Sequence, residues 1–199
     1  MKISQLSLAA ALLLGAAGCN SSSDAVQEAQ KTNEAKIDST TQGAGQNAAV
    51  RDDKEYDSEF MTKAASGGML EVELGKVVAQ RATTPAAKQF AQQMVTDHTK
   101  ANNELKALAA KKNLTLPASL GDDQKKVYDE VLTEKGAKLD QKYVSEMVDD
   151  HEEDVKEFQE ASTKAGDPAV KAFAAKTLPV LQMHLVMIKK IQAAMDAKK

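Results

Sequence analysis

The chain has 199 residues, the length of one ordinary domain with or without tails. Its formal net charge is −3 and it contains a single Cys, so the composition excludes a basic nucleic-acid-binding protein and an internal disulfide framework. No phosphate-binding glycine loop, nucleophile elbow or Cys-x-x-Cys pair occurs in the sequence. The residues therefore predict a location and a fold more directly than a reaction.

The N-terminus is typical of an export signal. Lys2 precedes an apolar run over 6–14, and four small residues, G-A-A-G, then lead to Cys19. These features predict a secretory signal peptide over 1–18 rather than a transmembrane helix. The arrangement resembles the lipobox of bacterial lipoproteins, although Ala16 stands where that motif usually has Leu. We expect lipid on Cys19 to anchor the protein in the cell envelope, at the outer membrane or in the periplasm; the alternative is ordinary cleavage nearby that leaves a free thiol.

A polar segment follows the signal. Residues 20–50 contain no aromatic residue and few large apolar ones, so they bury too little surface to offset the entropy lost on ordering. We therefore expect 19–52 to be a lipidated Cys with a disordered linker, which has a reach of roughly 30 Å. The first aromatic residue is Tyr56, and this step in composition places the start of the folded domain, 53–199, at about residue 53.

The domain has the composition of an all-α protein, because good helix formers dominate it and no alternating strand pattern occurs. Thr84-Pro85 and Asp167-Pro168 each look like an N-cap followed by Pro at the first helical position, and 113–123 has the Pro and Gly of a loop. These signals predict four helical segments, at about 57–82, 85–112, 123–165 and 168–197.

Gly136 is expected to break or bend the long third segment, and Pro179 to kink the fourth. The short turns between the first two and the last two segments make antiparallel neighbours. We therefore predict an antiparallel four-helix bundle.

The chain has three His, and each lies on the apolar stripe of a different predicted helix: His98, His151 and His184. Glu71 lies on the stripe of the first helix, whereas Glu73, about 200° around the axis, should face water. If the two short turns lie at the same end of the bundle, all four stripe residues are roughly 17–24 Å from that end, within about one turn of each other.

An isolated buried carboxylate must be paired or coordinated. Imidazole nitrogen and carboxylate oxygen suit Zn²⁺, Fe²⁺, Cu²⁺ or Mn²⁺. We therefore predict one transition-metal ion, with these ligands: Glu71, His98, His151 and His184.

Further residues near these His have expected roles. Asp97 and Asp150 should orient an imidazole or supply an oxygen, and Met94 and Met147 offer thioethers, which favour Cu(I). Asp140 lies roughly 17 Å from the layer, and we expect a separate buried acid or a helix cap there. The acid run over 149–154 is otherwise expected to be solvated or to lie at helix seams.

Five sequence blocks resemble the domain-of-unknown-function 4142 family, whose exported members are often labelled outer membrane proteins. They are F-M-T-K-A-A-S-G-G-M-L-E-V-E-L-G-K (60–76), M-V-T-D-H (94–98), L-D-Q-K-Y-V (139–144), V-D-D-H (148–151) and A-K-T-L-P-V-L-Q-M-H-L (175–185). The resemblance implies a ferritin-like four-helix bundle. It implies no activity, because the family has no agreed one.

The chain departs from ferritin-like di-iron proteins, which use Glu-x-x-His on two helices. The residues three before its His are Val95, Val148 and Leu181, so a mononuclear His-rich site is the better hypothesis. Because Glu plus three His leaves no obvious open position, metal binding is favoured over catalysis. Two alternatives remain: a metal-free bundle that binds envelope partners or supports stress tolerance, and a redox metalloenzyme. The sequence does not decide the oligomeric state.

Overall fold

The computed structural model describes residues 24–41 and 48–197. Its elements are all helices, and no strand occurs in these two ranges, which confirms the predicted all-α class. In chain order they are α1 (Ala25–Thr41), α2 (Ala48–Arg81), α3 (Pro85–Lys112), α4 (Asp122–Thr133), α5 (Ala137–Lys164) and α6 (Pro168–Asp196). The predicted signal peptide and Cys19 lie outside the described residues.

The helix ends follow the local sequence. The Thr84 side chain accepts a hydrogen bond from the backbone N–H of Ala87, and Asp167 caps α6 in the same way, each with Pro at the next position. Gly136 has a positive φ of 59°, which a residue with a side chain rarely adopts, and it divides the third predicted segment into α4 and α5. α6 continues through Pro179 as one helix.

The hairpins α2–α3 and α5–α6 hold each other through two matching contacts. Asp57 on α2 accepts hydrogen bonds from the backbone N–H groups of Gly166 and Asp167 in the second turn. Asp140 on α5 accepts from the backbone N–H groups of Thr83 and Thr84 in the first turn, and from the Thr83 hydroxyl. Adding 83 to the number of each residue in one contact gives its equivalent in the other: Asp57 corresponds to Asp140, and the first turn corresponds to the second. The hairpins are therefore related by an approximate twofold axis.

These contacts correct the assumption that both short turns lie at one end of the bundle. The first turn lies beside the start of α5 and the second beside the start of α2, so the turns lie at opposite ends. Glu71 and His151 still lie at the same height along the bundle. Each is near the middle of its helix, so its distance from a turn is about the same whichever end that turn occupies. Asp140 is therefore a buried acid that holds the α2–α3 turn.

α4 belongs to the connection between the two hairpins. The Ser66 hydroxyl accepts from the backbone of Gly121 and donates to Gln124, while Arg81 donates to the backbone carbonyl of Glu134. α4 thus runs along α2 in the same direction and carries the chain to the far end of the bundle. One long crossover between two antiparallel pairs is the ferritin-like connectivity.

The expected disordered linker is wrong for residues 25–41, which form α1, and helix α2 begins at Ala48, before the expected boundary at 53. Ala29 and Ile37 on α1 are buried. Asn33, also buried, exchanges two hydrogen bonds with the backbone of Thr115, and Lys36 donates to Thr115 and to the carbonyl of Asn113. These long-range contacts stabilise a helix that has too few apolar residues to be recognised from its composition.

Two hydrophobic clusters fill the bundle, one toward each end. The first contains Leu74, Met94 and Ile188, and the second contains Phe60, Leu105 and Leu181. Glu71 and the three His lie between them and are buried, as the helical stripes predicted, whereas Glu73 is exposed. The core is therefore apolar at both ends and polar at its centre.

The Asp140 contact gives a stability prediction. We expect Asp140→Asn to lower the free energy of unfolding by about 1.5–3 kcal/mol, because it weakens charge-assisted hydrogen bonds that a buried carboxylate accepts from a partly exposed turn. Denaturant unfolding followed by circular dichroism measures the change. Asp149→Asn, an exposed acid on the same helix, is the control and should stay within about 0.5 kcal/mol of the wild type. Equal effects of the two variants would contradict this role of Asp140.

Candidate metal centre

The three imidazoles meet at the centre of the bundle in a nearly equilateral triangle. Their ring centroids are 5.7 Å apart for His98 and His151, 5.4 Å for His98 and His184, and 5.5 Å for His151 and His184. Each ring comes from a different helix, α3, α5 or α6, and all three are buried. The arrangement surrounds one common point.

Each ring has one nitrogen held by a neighbour. Nδ1 of His151 lies 3.0 Å from the carbonyl oxygen of Met147, and Nε2 of His184 lies 2.8 Å from Oδ2 of Asp97. Gln93 donates to the same Asp97 oxygen. Nδ1 of His98 contacts Oε2 of Glu71. These partners orient each ring and leave its other nitrogen without a protein partner among the described residues.

The other three ring nitrogens have no hydrogen-bond partner among the described residues: Nε2 of His98, Nε2 of His151 and Nδ1 of His184. One ring nitrogen from each His lies within 4.8 Å of one from each of the others. Three imidazoles on a tetrahedral ion, with metal–nitrogen distances of about 2.0–2.1 Å, have ring centroids about 5 Å apart. The observed triangle is close to that size.

Glu71 lies beside two of the rings. Its Oε2 contacts His98, its Oε1 lies 3.3 Å from Nε2 of His151, and neither oxygen makes a hydrogen bond of normal geometry. Burial raises the pKa of the Glu71 carboxyl well above its usual range. Glu71 can thus be a fourth ligand or hold His98.

The same burial acts in the opposite direction on the imidazoles. It lowers the pKa of His98 to about 4 and, with the neighbouring imidazoles, that of His151 to about 3. It also lowers the pKa of His184, although the hydrogen bond that His184 donates to Asp97 opposes the shift. Near neutral pH all three rings are uncharged, which is the form that binds metal ions.

The predicted supporting residues fall into two groups. Asp97 orients an imidazole, but it is that of His184 on α6 rather than the adjacent His98. Asp150 lies 3.8 Å from Nδ1 of His151. The side chains of Met94 and Met147 belong to the first hydrophobic cluster, and Met147 acts on His151 through its backbone carbonyl.

Sequence reasoning missed three residues at this centre. Tyr143 is fully buried and its hydroxyl has no hydrogen-bond partner in the described part of the chain. Phe90 places its ring 6.0 Å from His151 and 6.2 Å from His184, as an apolar wall. Asp154 lines a small cavity together with Glu71 and His98. For Asp154, the signal available in the sequence was its position one helical turn after Asp150.

The fold and the centre define an all-α bundle of ferritin-like connectivity with a buried His and carboxyl layer. The family described as a domain of unknown function, DUF4142, matches residues 39–191. The chain belongs to this family. A search of curated proteins finds no match.

Two solved structures share the fold. A DUF305 fragment from Deinococcus radiodurans has 8% sequence identity and a TM-score of 0.62, covering 70% of this chain and 96% of its own. A DUF305 protein from Streptomyces coelicolor, described as secreted, has 11% identity and a TM-score of 0.60, covering 71% and 94%. Identities this low establish a common fold only.

Glu71 generates a pH prediction for metal-free protein. Because the pKa of Glu71 is raised, the folded state keeps a proton that the unfolded state loses above about pH 4.5. The contribution of the protonated Glu71 carboxyl to stability is therefore lost as the pH rises. We expect Glu71→Gln to match the wild type at pH 4 and to exceed it by about 1–3 kcal/mol at pH 8. Denaturant unfolding with chelator present measures this difference, and the exposed Glu73→Gln is the control. A constant difference across this pH range would count against the assignment.

Proposed function

We propose that this protein binds one transition-metal ion through His98, His151 and His184, with Glu71 as fourth ligand or as partner of His98. The observation that carries the proposal is the triangle of buried rings, in which each ring has one nitrogen held and one without a partner among the described residues, and offers a nitrogen within 4.8 Å of the others. Nitrogen ligands with a carboxylate oxygen suit Zn²⁺, Cu²⁺, Fe²⁺ or Mn²⁺. A bound cation would also offset the cost of burying Glu71.

The pattern of hydrogen bonds favours this function over a metal-free polar layer. A buried network that only stabilises a fold is expected to satisfy its own donors and acceptors. Here the buried side-chain atoms without a partner, among the described residues, are concentrated on Glu71, Tyr143, Asp150 and the three His. Groups that a metal ion would engage are therefore the ones left without a protein partner.

The size of the adjacent space favours binding over catalysis. The cavity lined by Glu71, His98 and Asp154 has a volume of about 10 Å³, which is about the space of a single water molecule. An organic substrate does not fit beside the centre. Storage, sensing or detoxification of a metal fits this geometry better than turnover of a larger molecule.

The proposed location is the cell envelope. The sequence of residues 1–19 supports export and attachment through a lipid on Cys19. One structural neighbour is described as a secreted protein. None of the helices within 24–41 and 48–197 is long and apolar enough to cross a membrane. The lipid would therefore be the membrane attachment, and the bundle would lie outside the bilayer.

Metal content tests the proposed function. We expect the full chain, expressed with its own leader and purified without chelator, to carry or take up about one equivalent of a single metal among Zn, Cu, Fe and Mn. Mass spectrometry of the metals measures the content. Free metal at 100 times Kd should stabilise the fold by about 2.7 kcal/mol, and chelator should reverse this.

Two variants should weaken metal binding to different extents. His184→Gln should abolish stoichiometric binding, and Asp97→Asn, which removes only the charge that orients His184, should weaken it about 10–100-fold. Gln182→Ala on the exposed face of α6 is the control. A folded wild type that takes up none of the four metals would refute the proposed function.

The anchor has its own test. Cys19→Ser should move the protein from the membrane fraction to the soluble fraction of the envelope, because a lipid chain is the proposed attachment. Cell fractionation with immunodetection measures the distribution, and Ser22→Ala, which keeps Cys19, is the control. Membrane association that survives Cys19→Ser would rule out the lipid as the attachment.

A further inference from the structure

Three acidic side chains converge beside the His triangle. Glu71 on α2 and Asp150 on α5 place one carboxyl oxygen each within 4.8 Å of the other and of a ring nitrogen of His151. Asp154, one turn after Asp150, points its Oδ1 at α2, where that oxygen lies 3.8 Å from the position of a Cβ on Gly67. Under the approximate twofold relation of the hairpins, Asp154 is the counterpart of Glu71, since the two differ by the same 83 positions.

No basic side chain compensates these acids in the described part of the chain. Neither Asp150 nor Asp154 forms an ion pair with Lys or Arg there, and the charges that act most strongly on both carboxyls belong to other acids. Burial and this repulsion raise the pKa of Asp150 and of Asp154 well above the usual range. Three carboxyl groups at this position require protons or a cation.

Neither carboxyl oxygen of Glu71 makes a hydrogen bond of normal geometry within 24–41 and 48–197. The hydroxyl of Tyr143, a fully buried side chain on α5, has no hydrogen-bond partner there either. The charges of Glu71 and Asp150 act on that hydroxyl, and with burial they raise its pKa. The donors brought together here are therefore mainly oxygen atoms, from Glu71 on α2 and from Asp150 and Tyr143 on α5, with one ring nitrogen of His151 beside them.

We propose that Glu71, Asp150 and Asp154 hold a second divalent cation, of the Mn²⁺ or Fe²⁺ kind, beside the ion on the three His. Donor sets made mainly of oxygen favour hard cations, whereas imidazoles suit Zn²⁺ and Cu²⁺. Glu71 belongs to both positions, because Oε2 contacts His98 while a carboxyl oxygen approaches Asp150. The proposal deepens the proposed function, although the carboxylate position can be tested without it.

The experiment loads the full-length protein with one equivalent of Zn²⁺, removes the excess, and titrates Mn²⁺ while electron paramagnetic resonance records free Mn²⁺. A parallel titration uses protein without Zn²⁺. We expect the Zn-loaded wild type to bind one Mn²⁺ per chain. In Asp150→Asn/Asp154→Asn, which replaces two partly buried acids with neutral groups of the same shape and leaves all three His, we expect Mn²⁺ affinity to fall at least 100-fold with Zn²⁺ retained.

A matched control is available on the same helix. Asp149→Asn/Glu153→Gln removes two exposed acids at the same spacing and makes the same charge change, so its Mn²⁺ affinity should stay within twofold of the wild type. Circular dichroism confirms that each variant is folded.

The outcomes separate the two proposals. The carboxylate position would be overturned if the wild type retained Zn²⁺ but bound no Mn²⁺, or if both double variants bound Mn²⁺ equally. Either result would leave the His site in place. A third outcome is that the wild type cannot retain Zn²⁺ but still binds Mn²⁺, and that only Asp150→Asn/Asp154→Asn loses the Mn²⁺. This result would support the carboxylate position and refute the three-His site.

Discussion

A carboxyl group buried at mid-height in the bundle is the constraint on which the rest of the core depends. Glu71 cannot remain there without compensation, and each of the other three long helices supplies an imidazole at its level. The apolar clusters on either side exclude water from this layer. The same exclusion raises the pKa of the Glu71 carboxyl and lowers the pKa of His98 and His151, because burial disfavours the charged form of both kinds of group.

The layer stays in register because each hairpin fastens the turn of the other. Asp57 and Asp140 each accept hydrogen bonds from two successive backbone N–H groups in the opposite turn. With both ends tied, the helix centres are held at one height, and side chains near the middle of α2, α3, α5 and α6 meet. The solved structures that share this fold at 8% and 11% identity show that the architecture tolerates almost complete replacement of its sequence.

The sequence predicted the fold because its signals are local. The N-caps at Thr84 and Asp167, the break at Gly136 and the 3.6-residue period of apolar positions act within a few residues, and all were recognisable. Burial of Glu71 and of the three His followed from the same period. Helix α1 was missed, because the hydrogen bonds of Asn33 with Thr115 join residues 82 positions apart and leave no trace in composition.

The sequence alone thus determined that Glu71 and the three His enter the core, since that depends on helical period. Only the tertiary structure decided what each of them does there. Asp97 serves His184 on α6 rather than its neighbour His98, Met147 acts through its carbonyl, and Asp154 and Tyr143 join the centre. The physical reason is that the rotation of one helix against another, and the side-chain rotamers it permits, are set by packing between segments far apart in the chain.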